Sequence, residues 1–268
     1  MIDAHVHLWQ LDAHDCRWPT AADGVLYRDV LLDELVATLD DAGVGRAMLV
    51  QSQESARDTA WLLAIAATTG RIAGVIGWAD LRDRDAVLEC AHDARLKGLR
   101  PMVQDCAADW FDAPAIEAGI AAMVDHRLVL DALIRPLHLP ALSRLAERHP
   151  DLVIVIDHAA KPEDGPDGFA RWQAALAPLA RHRNVHVKLS GLLSEMAREA
   201  VAPTVQALLD LFGAERLLWG SDWPVLTAVT GYADWLDLAR ALIPHADEAA
   251  VFGGNACRVY GLAETAHG

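Results

Sequence analysis

The sequence has few cysteines and no long apolar run. Its four cysteines, Cys16, Cys90, Cys106 and Cys257, are scattered and show no CxxC spacing, so we expect reduced thiols rather than a disulfide framework. No apolar stretch approaches the roughly 20 residues that a membrane span needs, and the first residues lack the basic and apolar regions of a signal peptide. We therefore expect a cytoplasmic protein with no membrane partner.

Basic residues are also scarce. The chain has 23 Lys and Arg against 38 Asp and Glu, which gives a net charge of −15. A surface of this charge repels phosphate backbones, so nucleic acid is not an expected partner. Two sequence signatures are missing as well. The first predicted strand is not followed by the glycine fingerprint of dinucleotide-binding folds, and the chain has no GxSxG nucleophile elbow of serine hydrolases.

Short apolar runs that alternate with helical periodicity are what the sequence does contain. The predicted strands are residues 2–7, 46–51, 72–79, 97–101, 128–134, 153–160, 185–191 and 217–225. Strands that alternate with helices predict a parallel sheet. Eight such units in a chain of 268 residues predict a single (β/α)8 barrel, and we treat residues 1–268 as one domain.

Polar side chains capable of catalysis follow three of the predicted strands. His5 and His7 lie at the end of strand 1, His158 at the end of strand 6 and Asp222 near the end of strand 8. Barrels of this type carry their active sites at the carboxyl ends of the strands, so these four side chains are expected to converge. The set could bind a divalent metal or perform acid–base catalysis. Each residue alone has a structural alternative, such as a buried core histidine or a helix-capping aspartate, but their joint position favours function.

Further polar and aromatic residues lie along the same rim and are candidates for substrate binding. They are Gln51, Trp78, Arg100, Gln104, Lys188 and Trp223. Arg100 and Lys188 could hold a carboxylate or polarise a carbonyl, or they could form ion pairs within the barrel. Trp223 could form a wall of the pocket, although core packing explains a tryptophan equally well.

Six motifs give the chain a resemblance to a known family. They are IDAHVHLW at residues 2–9, GVIGWADL at 74–81, GLRPMVQD at 98–105, VIDHAAKP at 155–162, VKLSG at 187–191 and LWGSDWP at 218–224. In this order they resemble the amidohydrolase superfamily, specifically the amidohydrolase 2 type and its branch of sugar-lactone and pyrone-dicarboxylate lactonases. The resemblance spans nearly the whole chain.

The resemblance implies the barrel fold and the hydrolysis of a small-molecule lactone, such as fuconolactone or rhamnonolactone. By this resemblance Asp222 activates the hydrolytic water, and the cluster of His5, His7 and His158 polarises the carbonyl. One divalent ion, Zn²⁺, would be held by these histidines and Asp222, or the enzyme would work without metal. Both possibilities stay open at this point.

The sequence differs from the wider superfamily in one respect, and two alternative functions also fit it. Binuclear relatives carry a bridging residue on strand 4 and a histidine on strand 5, whereas here Lys97 lies at the wrong end of strand 4 and strand 5 offers Asp131. A binuclear centre is therefore not expected. The alternatives are a metal-dependent decarboxylase of aromatic or unsaturated acids on the same barrel, and a catalytically inactive binding protein. The sugar and the oligomeric state are left open.

Overall fold

A computed structural model describes residues 1–163 and 165–263 of the chain. The strands are β1 Ile2–Val6, β2 Arg46–Val50, β3 Ile72–Gly77, β4 Leu96–Leu99, β5 Val129–Ala132, β6 Ile154–Ile156, β7 Val185–Leu189 and β8 Leu217–Trp219. The helices are α1 Leu32–Asp41, α2 Ala56–Ala66, α3 Arg84–Ala91, α4 Glu117–Asp125, α5 Leu139–Arg148, α6 Gly165–Leu176, α7 Leu192–Glu195, α8 Arg198–Phe212, α9 Tyr232–Leu242 and α10 Asn255–Val259.

Local sequence signals set several helix boundaries. The Ser55 hydroxyl accepts hydrogen bonds from the backbone N–H groups of Arg57 and Asp58 and so caps α2. Pro140 lies in the first turn of α5, where its missing N–H costs nothing. Helix α8 ends at Phe212 and is followed by Gly213, whose φ of +71° suits glycine. Within the described residues, no helix has the length and apolar character needed to span a bilayer.

The strands form one parallel sheet in the order β1 to β8, with each strand paired to the next. The first strand meets the segment that follows β8. Asp222 N–H donates to the carbonyl of His5 over 2.9 Å, and His7 N–H donates to the carbonyl of Trp223 over 2.7 Å. The predicted single (β/α)8 barrel is confirmed.

Two apolar layers enclose the sheet. The larger layer lies between the strands and the surrounding helices, as parallel sheets covered on both faces require. The smaller layer fills the barrel interior, with Ile2, Ala4 and Met48 among its members. It includes Val259 and Tyr260, so the segment around α10 packs against the amino end of the barrel. The carboxyl end is left for polar groups.

Every strand ends before the residue that the sequence predicted, and the difference is largest for β6 and β8. Strand β6 ends at Ile156 and β8 at Trp219, although the predicted strands extended to residues 160 and 225. The apolar runs continue, but the backbone turns into left-handed conformations at His158 and Asp222. Pro224 also lacks the N–H that a continuing strand would use. His158 and Asp222 therefore lie in loops that follow the strands.

Candidate active site

The structure brings His5, His7, His158 and Asp222 together at the carboxyl end of the barrel. Each is at most 5% exposed. His5 Nε2 lies 3.1 Å from His7 Nε2, and Asp222 Oδ1 lies 3.3 Å from His7 Nε2 and 3.6 Å from His5 Nε2. The ring centroids of His5 and His158 are 4.7 Å apart. Three imidazoles and one carboxylate thus share a single buried cluster.

The backbone that carries this cluster is unusual. Four consecutive residues, His158 to Lys161, have φ between +51° and +59°, and Asp222 has a φ of +63°. Left-handed conformations cost a non-glycine residue roughly 1–2 kcal/mol each. Strain of this kind persists only where surrounding contacts impose it, and it concentrates at functional sites. Here it turns His158 and Asp222 towards His5 in β1 and His7 just after that strand.

Hydrogen-bond partners indicate where the imidazole hydrogens lie. His7 Nδ1 is 2.8 Å from the Val50 carbonyl, which can only accept, so the hydrogen of His7 is on Nδ1 and its Nε2 is a bare lone pair. Lys188 Nζ is 3.2 Å from His5 Nδ1 and donates to it, which leaves the His5 hydrogen on Nε2, facing His7. His158 Nδ1 lies 2.9 Å from the Ser190 hydroxyl. This assignment gives compatible donors and acceptors along the chain from Lys188 through His5 and His7 to the Val50 carbonyl.

A buried ionic network lies directly below the histidines. Lys188 is fully buried and pairs with Asp131 and, over 3.1 Å, with Asp157. Arg100 Nη1 lies 3.5 Å from Asp157, and the Tyr260 hydroxyl donates to Asp131. Buried charges need partners of this kind because desolvation is expensive. The network holds Lys188 against His5 and thereby fixes the orientation of that ring.

Burial sets the protonation of the cluster. It lowers the pKa of His5 and His158 below the ordinary value for histidine, so both are neutral near pH 7. Burial opposes ionisation of Asp222, but the histidines around it hold its pKa below the ordinary value. Burial likewise opposes ionisation of Asp157, and Lys188 and His5 outweigh it to lower that pKa. Asp222 is therefore an ionised carboxylate beside the neutral rings of His5 and His158.

Asp3 ties β1 to the loop that carries Asp222. One carboxylate oxygen accepts from the backbone N–H groups of His5 and Ser221 over 3.0 and 2.9 Å, and the other accepts from the Tyr232 hydroxyl over 2.8 Å. Burial raises the pKa of Asp3 to about 6. The same carboxylate therefore positions His5 and the loop that carries Asp222.

Two glycines allow the rings to pack closely. A Cβ on Gly191, whose φ is +63°, would lie 2.5 Å from Nδ1 of His158. A Cβ on Gly220 would lie 2.7 Å from the Cβ of His5. Neither contact leaves room for any side chain.

The remaining predicted residues have mixed placements. Gln51 and Arg100 pair reciprocally: Gln51 Nε2 donates to the Arg100 carbonyl over 2.9 Å, and Arg100 donates to both oxygens of Gln51. Lys188 is engaged by two carboxylates, so the ion-pair alternative describes it better than substrate binding. Trp223 is 3% exposed and packs into the core between sheet and helices.

Two other candidates lie nearer the surface. Gln104 is half-buried in a short 3-10 helix, and its Oε1 has no hydrogen-bond partner among the described residues. Trp78 lines a separate cavity of about 760 Å³ together with residues of α2 and α3. Sequence reasoning gave no role to Asp3, Asp157 and Tyr260. The first two could have been noticed, because an ionisable residue inside an apolar strand must find a partner.

The cluster has the donor chemistry that a metal ion requires. Donor atoms of His5, His7 and Asp222 lie within 4.8 Å of one another and are buried, and His5, Asp157 and His158 form a second such group. His7 offers a bare nitrogen lone pair and Asp222 a carboxylate, which suits a divalent ion such as zinc. Nε2 of His5 could bind a metal in the tautomer that has its hydrogen on Nδ1. The described residues therefore fit one divalent ion.

Fold and site together define a barrel hydrolase with a histidine–aspartate centre. A family model for amidohydrolases of the second type matches residues 2–262. The chain belongs to this amidohydrolase family.

Comparison with individual proteins adds detail. The chain is 45% identical to an L-fucono-1,5-lactonase of Burkholderia ambifaria, over 97% of this chain and 94% of that protein. It is 35% identical to an L-fucono-1,5-lactonase of Burkholderia multivorans, over 99% and 97% of the two chains. An amidohydrolase from Burkholderia multivorans, crystallised with bound zinc, superposes with a TM-score of 0.92 at 34% identity, over 98% of this chain and 99% of that one.

Proposed function

We propose that this chain is a lactonase that hydrolyses an aldonolactone of the L-fucono-1,5-lactone type. The observation that carries the proposal is the buried cluster of His5, His7, His158 and Asp222 at the carboxyl end of the barrel. The substrate class rests on the two L-fucono-1,5-lactonases that match over nearly the whole chain. Because both relatives are lactonases, the decarboxylase and the inactive binding protein are not favoured.

Asp222 is the proposed general base and acid. Its depressed pKa keeps the carboxylate ionised. In the proposed reaction this carboxylate accepts a proton from water as that water attacks the lactone carbonyl. The protonated carboxyl then returns the proton to the ring oxygen as the ester bond breaks. The neighbouring imidazoles exclude bulk water and hold Asp222 in place. Asp3 and Lys188 are positioning residues. Asp3 holds the loop that carries Asp222, and Lys188 orients the ring of His5.

His5, His7 and Asp222, with His158 beside them, are the proposed residues for holding a zinc ion. Such an ion would act as a Lewis acid that polarises the lactone carbonyl. The carbonyl of a lactone is more reactive than that of an amide, so a strong Lewis acid is not required. Asp222 and the imidazoles therefore have the same tasks with or without a metal ion.

The test is acid release from freshly prepared aldonolactones, followed with a pH indicator. We expect hydrolysis of L-fucono-1,5-lactone by the wild type and a loss of about 10²–10⁴-fold in Asp222→Asn. The exposed Asp33 offers a charge-matched control, and Asp33→Asn should keep full activity. A chelator arm measures the contribution of metal. Acid release that survives in Asp222→Asn would remove Asp222 from the mechanism, and no acid from any lactone would reject the function.

A further inference from the structure

A cationic cavity lies at the opposite end of the barrel from the histidine cluster. It has a volume of about 640 Å³ and lies beside the amino ends of β7 and β8. Its lining includes four arginines, Arg181, Arg183, Arg216 and Arg258, against one acidic residue, Glu215. The whole chain has a net charge of −15, so the charge of this cavity is opposite in sign to that of the protein overall.

These arginines differ from most others in the chain. Ten arginines elsewhere lie within 4.0 Å of a carboxylate oxygen. Among the described residues, none of the four in the cavity has such a partner. Arg181 and Arg183 are exposed. The cavity therefore keeps positive charge that the carboxylates of the described chain do not neutralise.

Two of the arginines are rigidly held. Arg216 donates from Nε to the Phe212 carbonyl and from Nη1 to the carbonyls of Ala180 and His182, over 2.8–3.1 Å. Arg258 donates to Asn255 Oδ1 over 2.9 Å and to the Glu215 carbonyl. Carbonyl oxygens fix the guanidinium positions without cancelling their charge. A site with fixed cations loses little conformational entropy when an anion binds.

A buried and unpartnered histidine is the second observation. His186 lines the cavity and is 5% exposed, and its Nδ1 is buried with no hydrogen-bond partner in the part of the chain that the structure describes. Burial, together with Arg258 and Arg216, lowers the pKa of His186 to about 4. Its ring is therefore neutral near pH 7 and carries one N–H that an anion could accept from. Buried polar groups without partners are rare and call for an explanation.

We propose that this cavity binds a phosphate group, either inorganic phosphate or the phosphate of a small ester. Guanidinium groups match the geometry of phosphate oxygens and make charge-assisted hydrogen bonds with them. The volume falls within the range of roughly 300–1,000 Å³ that is usual for small-molecule sites. The proposal is independent of the lactonase reaction, since it uses the other end of the barrel.

Isothermal titration calorimetry at constant ionic strength tests the site. Wild-type protein is titrated with inorganic phosphate and, separately, with a hexose phosphate. We expect saturable binding of one equivalent, weakened at least about tenfold in the double variant Arg181→Gln/Arg183→Gln. Both side chains are exposed, so the variant should melt at the wild-type temperature. Tighter binding of the hexose phosphate would assign an ester, and equal affinity would assign free phosphate.

Arg84→Gln/Arg198→Gln is the matched control, because both residues are exposed arginines outside the cavity and the net charge changes equally. Its phosphate affinity should equal that of the wild type. Three results would overturn the proposal: no saturable heat with either ligand, binding that survives in Arg181→Gln/Arg183→Gln, or an equal loss of affinity in both double variants.

Discussion

Replacing Gly191 by alanine should disable the site while leaving the barrel folded. The new Cβ would lie 2.5 Å from Nδ1 of His158, whereas ordinary contacts begin at 3.4 Å. The His158 ring must therefore move by about 1 Å, and a misplacement of that size costs on the order of 100-fold in rate. The movement also breaks the hydrogen bond to Ser190. The left-handed backbone at this position adds a stability cost of roughly 1–2 kcal/mol.

Gly43→Ala separates the two effects. Gly43 has a φ of +66°, and a Cβ at that position would meet no other atom within 4 Å. This variant should lose a similar amount of stability and no activity. Lactone hydrolysis measured by acid release, together with urea denaturation of both variants, provides the comparison. Activity of Gly191→Ala within about threefold of Gly43→Ala would refute the argument that His158 needs this glycine.

Three further predictions concern buried charge and metal. Lys188→Met leaves Asp131 without a cation and Asp157 with Arg100 alone, so it should lower the free energy of unfolding by about 3–5 kcal/mol, measured by urea denaturation. Asp131→Asn in the same chain should restore part of this loss, and a loss below about 1 kcal/mol would contradict the network. Burial raises the pKa of Asp58 to about 7, so the folded chain retains a proton that the unfolded chain has released, and stability falls as the pH rises from about 4 to 7. Asp58→Asn should therefore stabilise the protein at pH 8 and have little effect at pH 4, and equal effects at both would show that Asp58 titrates normally. Chelator-treated protein should take up one zinc ion per chain, measured by elemental analysis, and His7→Ala should weaken that uptake; undiminished uptake would remove His7 from the proposed ligands.

The sequence was sufficient to predict the barrel. Strands of a parallel sheet are buried on both faces and appear as continuous apolar runs, and eight of them could be counted. The boundaries of β6 and β8 were less accurate, because the apolar runs continue through Ala159, Ala160 and Trp223 while the backbone has already left the sheet. Left-handed turns at non-glycine residues leave no simple mark in a sequence.

The cluster could be predicted from the ends of the strands, but regular alternation along β1 does not explain the direction of His5. Regular alternation along β1 places Ile2 and Ala4 in the barrel interior, which would send His5 outward. An irregularity in the pairing of β1 with β2, between Asp3 and Val6, redirects it. The ionic network was not predictable in detail, because Lys188 and Asp131 are 57 residues apart and only the closed barrel brings them together.

The contacts that close the barrel are also those that place Asp222. Hydrogen bonds from Asp222 and His7, and the carboxylate of Asp3, join β1 to the loop after β8. Fluctuations that separate β1 from the loop after β8 would abolish activity before the rest of the molecule unfolds. Loss of activity should therefore be an early sign of unfolding. The same contacts constrain the evolution of the enzyme, because changes in this loop would weaken the closure of the barrel. Substrate preference should therefore vary through other loops around the rim.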